Sequence, residues 1–302
     1  MNNTSKGIIA IIVSAFGFAL MAFFVRLCDD HGAAVSSFEK SFFRNIIALV
    51  LAAAVFWREP STGPQARGFQ PSTPRRKAWL LLFARAAFGS IGIFGNFYAL
   101  SKIPIGEAMT LNKTAPFFAV LFAALFLGER VNRRQVAALA VAFLGAILVM
   151  KPGFGANEPF AACCALAGGL GAGLAYACVH ELGRIGVGGA LIIAVFSAFS
   201  CLCAIPFIVF GFTPLSGAQL AILLGAGVGA AIGQFGVTAA YRLAEPRVVA
   251  VFDYTNIIFT SLFGFFFFSQ KPDTPSIIGF VLIIAAAIGM NRRGRASARR
   301  QP

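Results

Sequence analysis

The stretch LNKTAPFF, residues 111–118, sets a lysine between Asn112 and Thr114 inside an otherwise apolar segment. What that lysine means depends on the solvent around the chain. Of the 302 residues, 58% are hydrophobic and 12% are charged, about half the charged share of ordinary soluble domains. Apolar runs recur along the whole length, and ~20 apolar residues suffice to cross a hydrocarbon core. Lys113 therefore reads as a charge inside a membrane span, ~12 Å from its nearer end at 1.5 Å per residue. A charge at that depth costs ~2.5–3.5 kcal/mol on insertion and faces a cavity or a partner.

Outward from this segment, ten spans can be drawn: 7–27, 35–57, 78–100, 105–127, 135–151, 160–182, 189–211, 217–240, 247–268 and 276–291. An isolated apolar segment satisfies its own backbone in lipid only as a helix. The expected fold is all-α, an integral membrane protein of ten transmembrane helices. Connections are short except 58–77, REPSTGPQARGFQPSTPRRK, whose Pro, Ser, Gly and Arg content reads as a solvated loop.

The net charge of +14 first suggests nucleic acid. The basic residues instead gather in alternate connections, so no nucleic-acid partner is expected. Seventeen Lys and Arg fall on one side, among them Arg75, Arg76, Lys77, Arg130, Arg133, Arg134 and the tail arginines. Four fall on the other: Arg26, Lys102, Lys151 and Lys271. By the positive-inside rule both termini are cytoplasmic, in a cell (inner or plasma) membrane. The tail 292–302 reads as a topology anchor touching anionic lipid. The six cysteines show no metal-ligand spacing. No cofactor and no metal are expected, and no cleavable signal peptide is evident.

Residues 127–150, LGERVNRRQVAALAVAFLGAILVM, resemble 268–290, FSQKPDTPSIIGFVLIIAAAIGM, in plan: a span end, a polar turn, then a helix rich in small residues. Each closes a five-span half, 1–151 and 159–291. Five is odd, so the second half enters from the opposite side, giving two inverted five-helix repeats. That is an architecture of secondary transporters, with substrate bound near the midplane at the repeat interface.

The stretch RAAFGSIGIFGNFYALSKIPIGEAMTLNKTAPFFAVLFAALFLGER, residues 85–130, resembles the EamA-type signature of the drug/metabolite transporter (DMT) superfamily. The shared features are the Arg and glycines opening span 3, the YAL and EA turn, the T-x-P kink and the closing LGER. GQFGVTAAYRLAEP, residues 233–246, resembles the matching stretch of the second half, and Arg44 fits the span 2 arginine. The resemblance implies ten helices with both termini inside, a central cavity and alternating access. It implies transport of amino acids, other metabolites or drugs, mostly outward.

Few polar residues lie within spans, so each can be weighed. Arg44 and Lys113, with Glu39 and Glu107 nearer the outer end, read as an anion or carboxylate site, or as a structural ion-pair network among themselves. Asp253, Asn256, Thr260 and Gly264 share a helical face in span 9. An offset of 141 between halves lays Asn112, Lys113 and Thr114 over Asp253, Tyr254 and Thr255. Asp253 reads as a proton-coupling residue, or as a partner of Arg85 or Arg247. Arg85, Gly89, Gly92 and Asn96 share a face of span 3, where Arg85 is a ligand group or an anchor on helix-end carbonyls. The glycines there and in span 8 read as close-packing positions. Asn96, Tyr98, Tyr176, Gln234 and Tyr241 line a cavity or serve packing. Pro116 should kink span 4. His180 and Glu181 read as interfacial.

The function expected is a secondary transporter of a small, polar, amino acid-like metabolite, an exporter working as a monomer or homodimer. The alternatives are an uncoupled facilitator or channel, and an intramembrane enzyme. The last is disfavoured because no GxSxG or HExxH motif is present and His31 and His180 sit at span ends.

Overall fold

The computed structural model describes residues 2–29, 35–58, 68–70, 72–100, 102, 105–150, 158–269 and 272–298. His31, Lys151, Lys271 and the last four tail residues lie outside them, as does the side chain of Glu107. Among the described residues the regular structure is helical, with one antiparallel bridge, Phe69 to Val187, in the connections. The helices are α1 (Asn3–Asp29), α2 (Ser37–Arg58), α3 (Arg75–Leu100), α4 (Ile105–Asn112), α5 (Ala115–Leu127), α6 (Arg133–Met150), α7 (Pro159–Arg184), α8 (Gly189–Gly211), α9 (Gly217–Leu243), α10 (Pro246–Asp253), α11 (Thr255–Phe268) and α12 (Thr274–Ala298). Nine described segments are long and apolar enough to cross a membrane, and Thr274–Gly289 is a shorter apolar helix. The outward faces are oily: Phe210 is 91% exposed, and Leu80 and Phe266 are each 71% exposed. Such surface suits hydrocarbon and not water.

Twelve helices fill ten spans because span 4, expected as one helix kinked at Pro116, and span 9, expected as one helix, are each broken. In span 4, Pro116 has no N–H for the Asn112 carbonyl, and its ring crowds that carbonyl. The helix stops at Asn112 and restarts at Ala115. The Thr114 hydroxyl turns back to donate to the Leu111 carbonyl at 2.5 Å. Span 9 breaks at Tyr254 without a proline. There the Thr255 hydroxyl donates to the Phe252 carbonyl at 2.7 Å. The same side-chain device serves both breaks, at positions 141 residues apart. It satisfies backbone that lipid could not.

The main helix pairs are α1 with α9, α3 with α7, α6 with α12, and α2 with α8. Further contacts join α5 to α7, α11 to α1, α9 to α2 and α8 to α3. Exchanging each first-half helix for its second-half counterpart converts every pair of this set into another member of it. Close approach is made by small residues. A Cβ built on Gly145 of α6 would lie 2.7 Å from the Gly279 carbonyl oxygen. One built on Gly279 of α12 would lie 2.5 Å from that of Gly145.

Candidate functional site

The two breaks meet. Lys113 Nζ lies 3.2 Å from Asp253 Oδ2, and the two side chains are only 12% and 10% exposed. The Tyr254 hydroxyl, fully buried, donates to the Lys113 carbonyl at 2.9 Å. Breaking both helices here lets a carbonyl leave its own helix and be used by the other. Such a buried pair holds only while both charges are present, since either alone is costly in that setting.

This pairing corrects three expectations. Glu39 does not pair with Lys113 or Arg44. One of its carboxylate oxygens accepts from the Thr213 amide at 2.7 Å and the other from the Ser36 amide at 3.0 Å. Two backbone donors at the start of α2 and at the α8–α9 connection satisfy it without a cation. Asp253 does not pair with Arg85 or Arg247; Arg247 pairs with Glu245 and also donates to the Arg130 carbonyl. Asp253 and Asn256 do not share one continuous face, because the break at Tyr254 separates them.

Beside the breaks lies a cavity of about 130 Å³ whose polar lining is Arg44, Arg85, Asn96, Asn112, Tyr176 and Gln234. Six of the residues singled out from sequence are thus brought together. Asn112 joins the cavity directly to the break in span 4. Arg85 is 3% exposed, and its guanidinium carbon sits 3.9 Å from the ring centroid of Phe196. It is not an anchor on helix-end carbonyls: Nε and Nη1 have no hydrogen-bond partner. Gly89, one turn along α3, makes room for this posture, since a Cβ there would lie 2.1 Å from Arg85 Nη1. Arg44 lies over Phe18 at 5.6 Å. Asn96 Oδ1 and Gln234 Nε2 are also buried without partners. Tyr176 stacks on Tyr241, centroids 4.7 Å apart and planes 14° apart.

Other expected residues lie elsewhere. Tyr98 is 41% exposed and meets Phe160 edge-on at 5.7 Å, away from the cavity. Asn256 is buried and donates through Nδ2 to the Ala15 carbonyl at 2.9 Å, tying α11 to α1. Lys113, Asp253 and Tyr254 sit at the breaks and do not line the cavity. Gly225, Gly229, Gly233 and Gly236 of span 8 pack on α1; Gly89 differs in serving the cavity.

His180 and Glu181, expected at an interface, are buried at 6% and 8% exposure. His180 Nε2 is 2.8 Å from Glu129 Oε1, and Nδ1 donates to the Tyr241 carbonyl at 2.8 Å. One imidazole thus links the end of α5 to α9. Glu181 accepts from Lys77 at 2.6 Å and from Arg184 at 3.2 Å. An open depression of about 540 Å³ beyond this cluster is lined by Glu129, Arg130, Arg184, Glu245 and Arg247. It is larger than the cavity but is a charged mouth in which Glu129, Arg184, Glu245 and Arg247 already have partners. The sequence signal for the His180 link was the closing LGER of span 4, but nothing local tied Glu129 to a histidine 51 residues on.

Comparison with known proteins gives this geometry its class. The model of the EamA-like transporter family matches residues 5–151. The pseudopaline exporter CntI of Pseudomonas aeruginosa is 30% identical over 289 residues, 95% of this chain and 96% of that one. The riboflavin transporter of Rhizobium johnstonii is 30% identical over 213 residues, 69% of this chain and 68% of its own. The S-adenosylmethionine uptake transporter of Rickettsia felis is 23% identical over 262 residues, 85% and 83% of the two chains. A solved crystal structure superposes with a TM-score of 0.74 over 97% of this chain and 98% of its own, at 18% identity. At that identity it speaks for the fold alone.

The chain belongs to the EamA-like transporter family of the DMT superfamily. It is a multi-pass membrane transporter of small metabolites and not an enzyme.

Proposed function

We propose that this chain exports a small, polar, amino acid-like metabolite by alternating access, with both termini in the cytoplasm. Residues 1–151 and 159–291 act as two inverted repeats that rock about the cavity between them. The observation that carries this reading is the meeting of two equivalent helix breaks at Lys113 and Asp253, beside a cavity lined from both halves. Broken helices facing a midplane cavity are the usual construction of a secondary transporter's site. Asp253 is the proton-coupling candidate, because protonating it would cancel the partner of Lys113 and loosen one break from the other. The substrate-contact candidates are Arg44, Arg85, Asn96, Asn112, Tyr176 and Gln234. Lys113, Tyr254 and Asn256 shape the surrounding frame. Export is supported by the exporter among the relatives, similar over nearly its whole length.

The test is counterflow in proteoliposomes loaded with a mixture of amino acids and related metabolites, with efflux read by mass spectrometry. Saturable efflux that unlabelled substrate on the opposite side accelerates is the expected result. Flux that neither saturates nor responds to the opposite side would make the protein a channel. A protease-cleavable tag at each terminus, probed in right-side-out vesicles, should be protected at both ends.

A further inference from the structure

We infer that the central cavity is an oxyanion subsite, in which Arg85 and Arg44 receive a carboxylate of the transported molecule. The inference rests on the transport reading and narrows its substrate class.

Four observations lead to it. Arg85 is 97% buried, yet two of its guanidinium nitrogens have no hydrogen-bond partner. Among the described residues, no carboxylate pairs with Arg85 or Arg44, and the cavity lining contains no Asp or Glu. Lys113, at the break beside the cavity, has Asp253 as its counter-ion and is not in the lining. Two cations left facing one small cavity form a receptor for an anion, because a buried charge without a partner is otherwise unfavourable.

The shape of the donors narrows the anion. A guanidinium is a planar fork that matches a carboxylate through two parallel N–H···O bonds. Phe196 lies against the Arg85 guanidinium without hydrogen-bonding it, and leaves Nε and Nη1 without partners. A volume of about 130 Å³ is well below that of a site for a whole drug-sized ligand. It suits one compact head group, and the rest of the substrate needs the cavity to widen. Asn96 Oδ1 supplies an unused acceptor and Gln234 Nε2 an unused donor. The acceptor fits an N–H or O–H beside the carboxylate, as in an α-amino or α-hydroxy acid, and the donor fits an oxygen of the carboxylate itself.

The test separates binding from transport. Thermal unfolding of the purified full chain in detergent is followed in sodium acetate, sodium L-lactate, sodium phosphate, sodium chloride and neutral acetamide, the salts at matched ionic strength. Acetate and lactate should raise the melting temperature of wild type above its value in chloride and acetamide, with lactate the stronger. In R85M the carboxylate-specific rise should vanish. In chloride, R85M should melt at or above wild type, because it removes an unpartnered buried cation. R44M, the second variant, should also lose the carboxylate-specific rise. The inference is overturned if the rise survives in R85M and R44M, if wild type shows none, or if phosphate alone stabilises. It is also overturned if R85M melts well below wild type in chloride, which is the behaviour of a structural anchor. A carboxylate that stabilises wild type but shows no counterflow would leave the subsite standing and overturn the transport reading. Counterflow confined to molecules lacking a carboxylate would do the reverse.

Discussion

Lys113 at the break of span 4 and Asp253 at the break of span 9 form an ion pair of 3.2 Å across the two halves of the chain. Neither residue is held by its own helix alone. Each break is stabilised in part by the charge presented at the other, and the Tyr254 hydroxyl adds a hydrogen bond between the same two segments.

Breaking that pair from one side should cost more than removing it altogether. D253N leaves Lys113 largely buried without its anion and should destabilise the protein by about 3 kcal/mol. The double replacement K113M/D253M should return to within about 1 kcal/mol of wild type. Unfolding of the three proteins in detergent checks this, and equal losses in single and double variants would refute it. D253N should also keep counterflow while losing accumulation driven by a pH gradient. Unchanged pH dependence would remove Asp253 as the coupling residue.

Gly89 should be intolerant for a reason local to the cavity. The Cβ of G89A would lie 2.1 Å from Arg85 Nη1 and 2.8 Å from Phe196 Cε2, so guanidinium and ring must part. The flexible arginine can yield, and the fold should survive with a melting temperature near wild type. Apparent substrate affinity should fall roughly tenfold, ~1.4 kcal/mol, in counterflow titrations.

Gly145 should show the opposite pattern. The Cβ of G145A would lie 2.7 Å from the backbone oxygen of Gly279, which cannot rotate away. Helices α6 and α12 must separate, at a cost of about 1–3 kcal/mol. No residue of either helix lines the cavity. Transport measured well below the melting temperature should therefore be close to wild type, while the melting temperature falls.

H180A removes the link between Glu129 and the Tyr241 carbonyl. Two buried acceptors are left without it, with an expected loss of about 1–3 kcal/mol. Amide hydrogen exchange should quicken around residues 127–130 and 241–245 and stay unchanged in α6 and α12. Uniform acceleration would mean that His180 is not a local clasp.

Much of this was legible in sequence, and the failures have physical causes. The spans could be drawn because lipid demands long apolar runs, and the offset of 141 could lay the Asn112–Thr114 stretch, with Lys113, over the Asp253–Thr255 stretch. That the two touch could not be read, because pairing across halves depends on where α4 and α10 end. Pro116 signalled one break. Tyr254 gave no such signal, since its helix stops without a proline and the Thr255 hydroxyl does the compensating. The arginines stood out by charge, but Phe18 and Phe196, which shape their posture, were two among 34 phenylalanines. Glu39 was misassigned because a carboxylate can be satisfied by backbone amides, which no residue pattern announces. Tyr98 looked like a cavity residue by its place in span 3, yet its side chain is half-exposed and packs on Phe160.

The cavity draws its two cations from α2 and α3, both of the first half, and its facing wall of Tyr176, Phe196 and Gln234 from α7, α8 and α9 of the second. The helix pairing is close to symmetric, but the electric field within it is not. With a carboxylate held as proposed, an anionic molecule would meet the same polarity from either side of the membrane and be turned the same way round. Its charged end would rest on one half of the chain and its remainder against the other. The orientation of the cargo would then be set by which half carries the arginines, whichever side the cavity opened to.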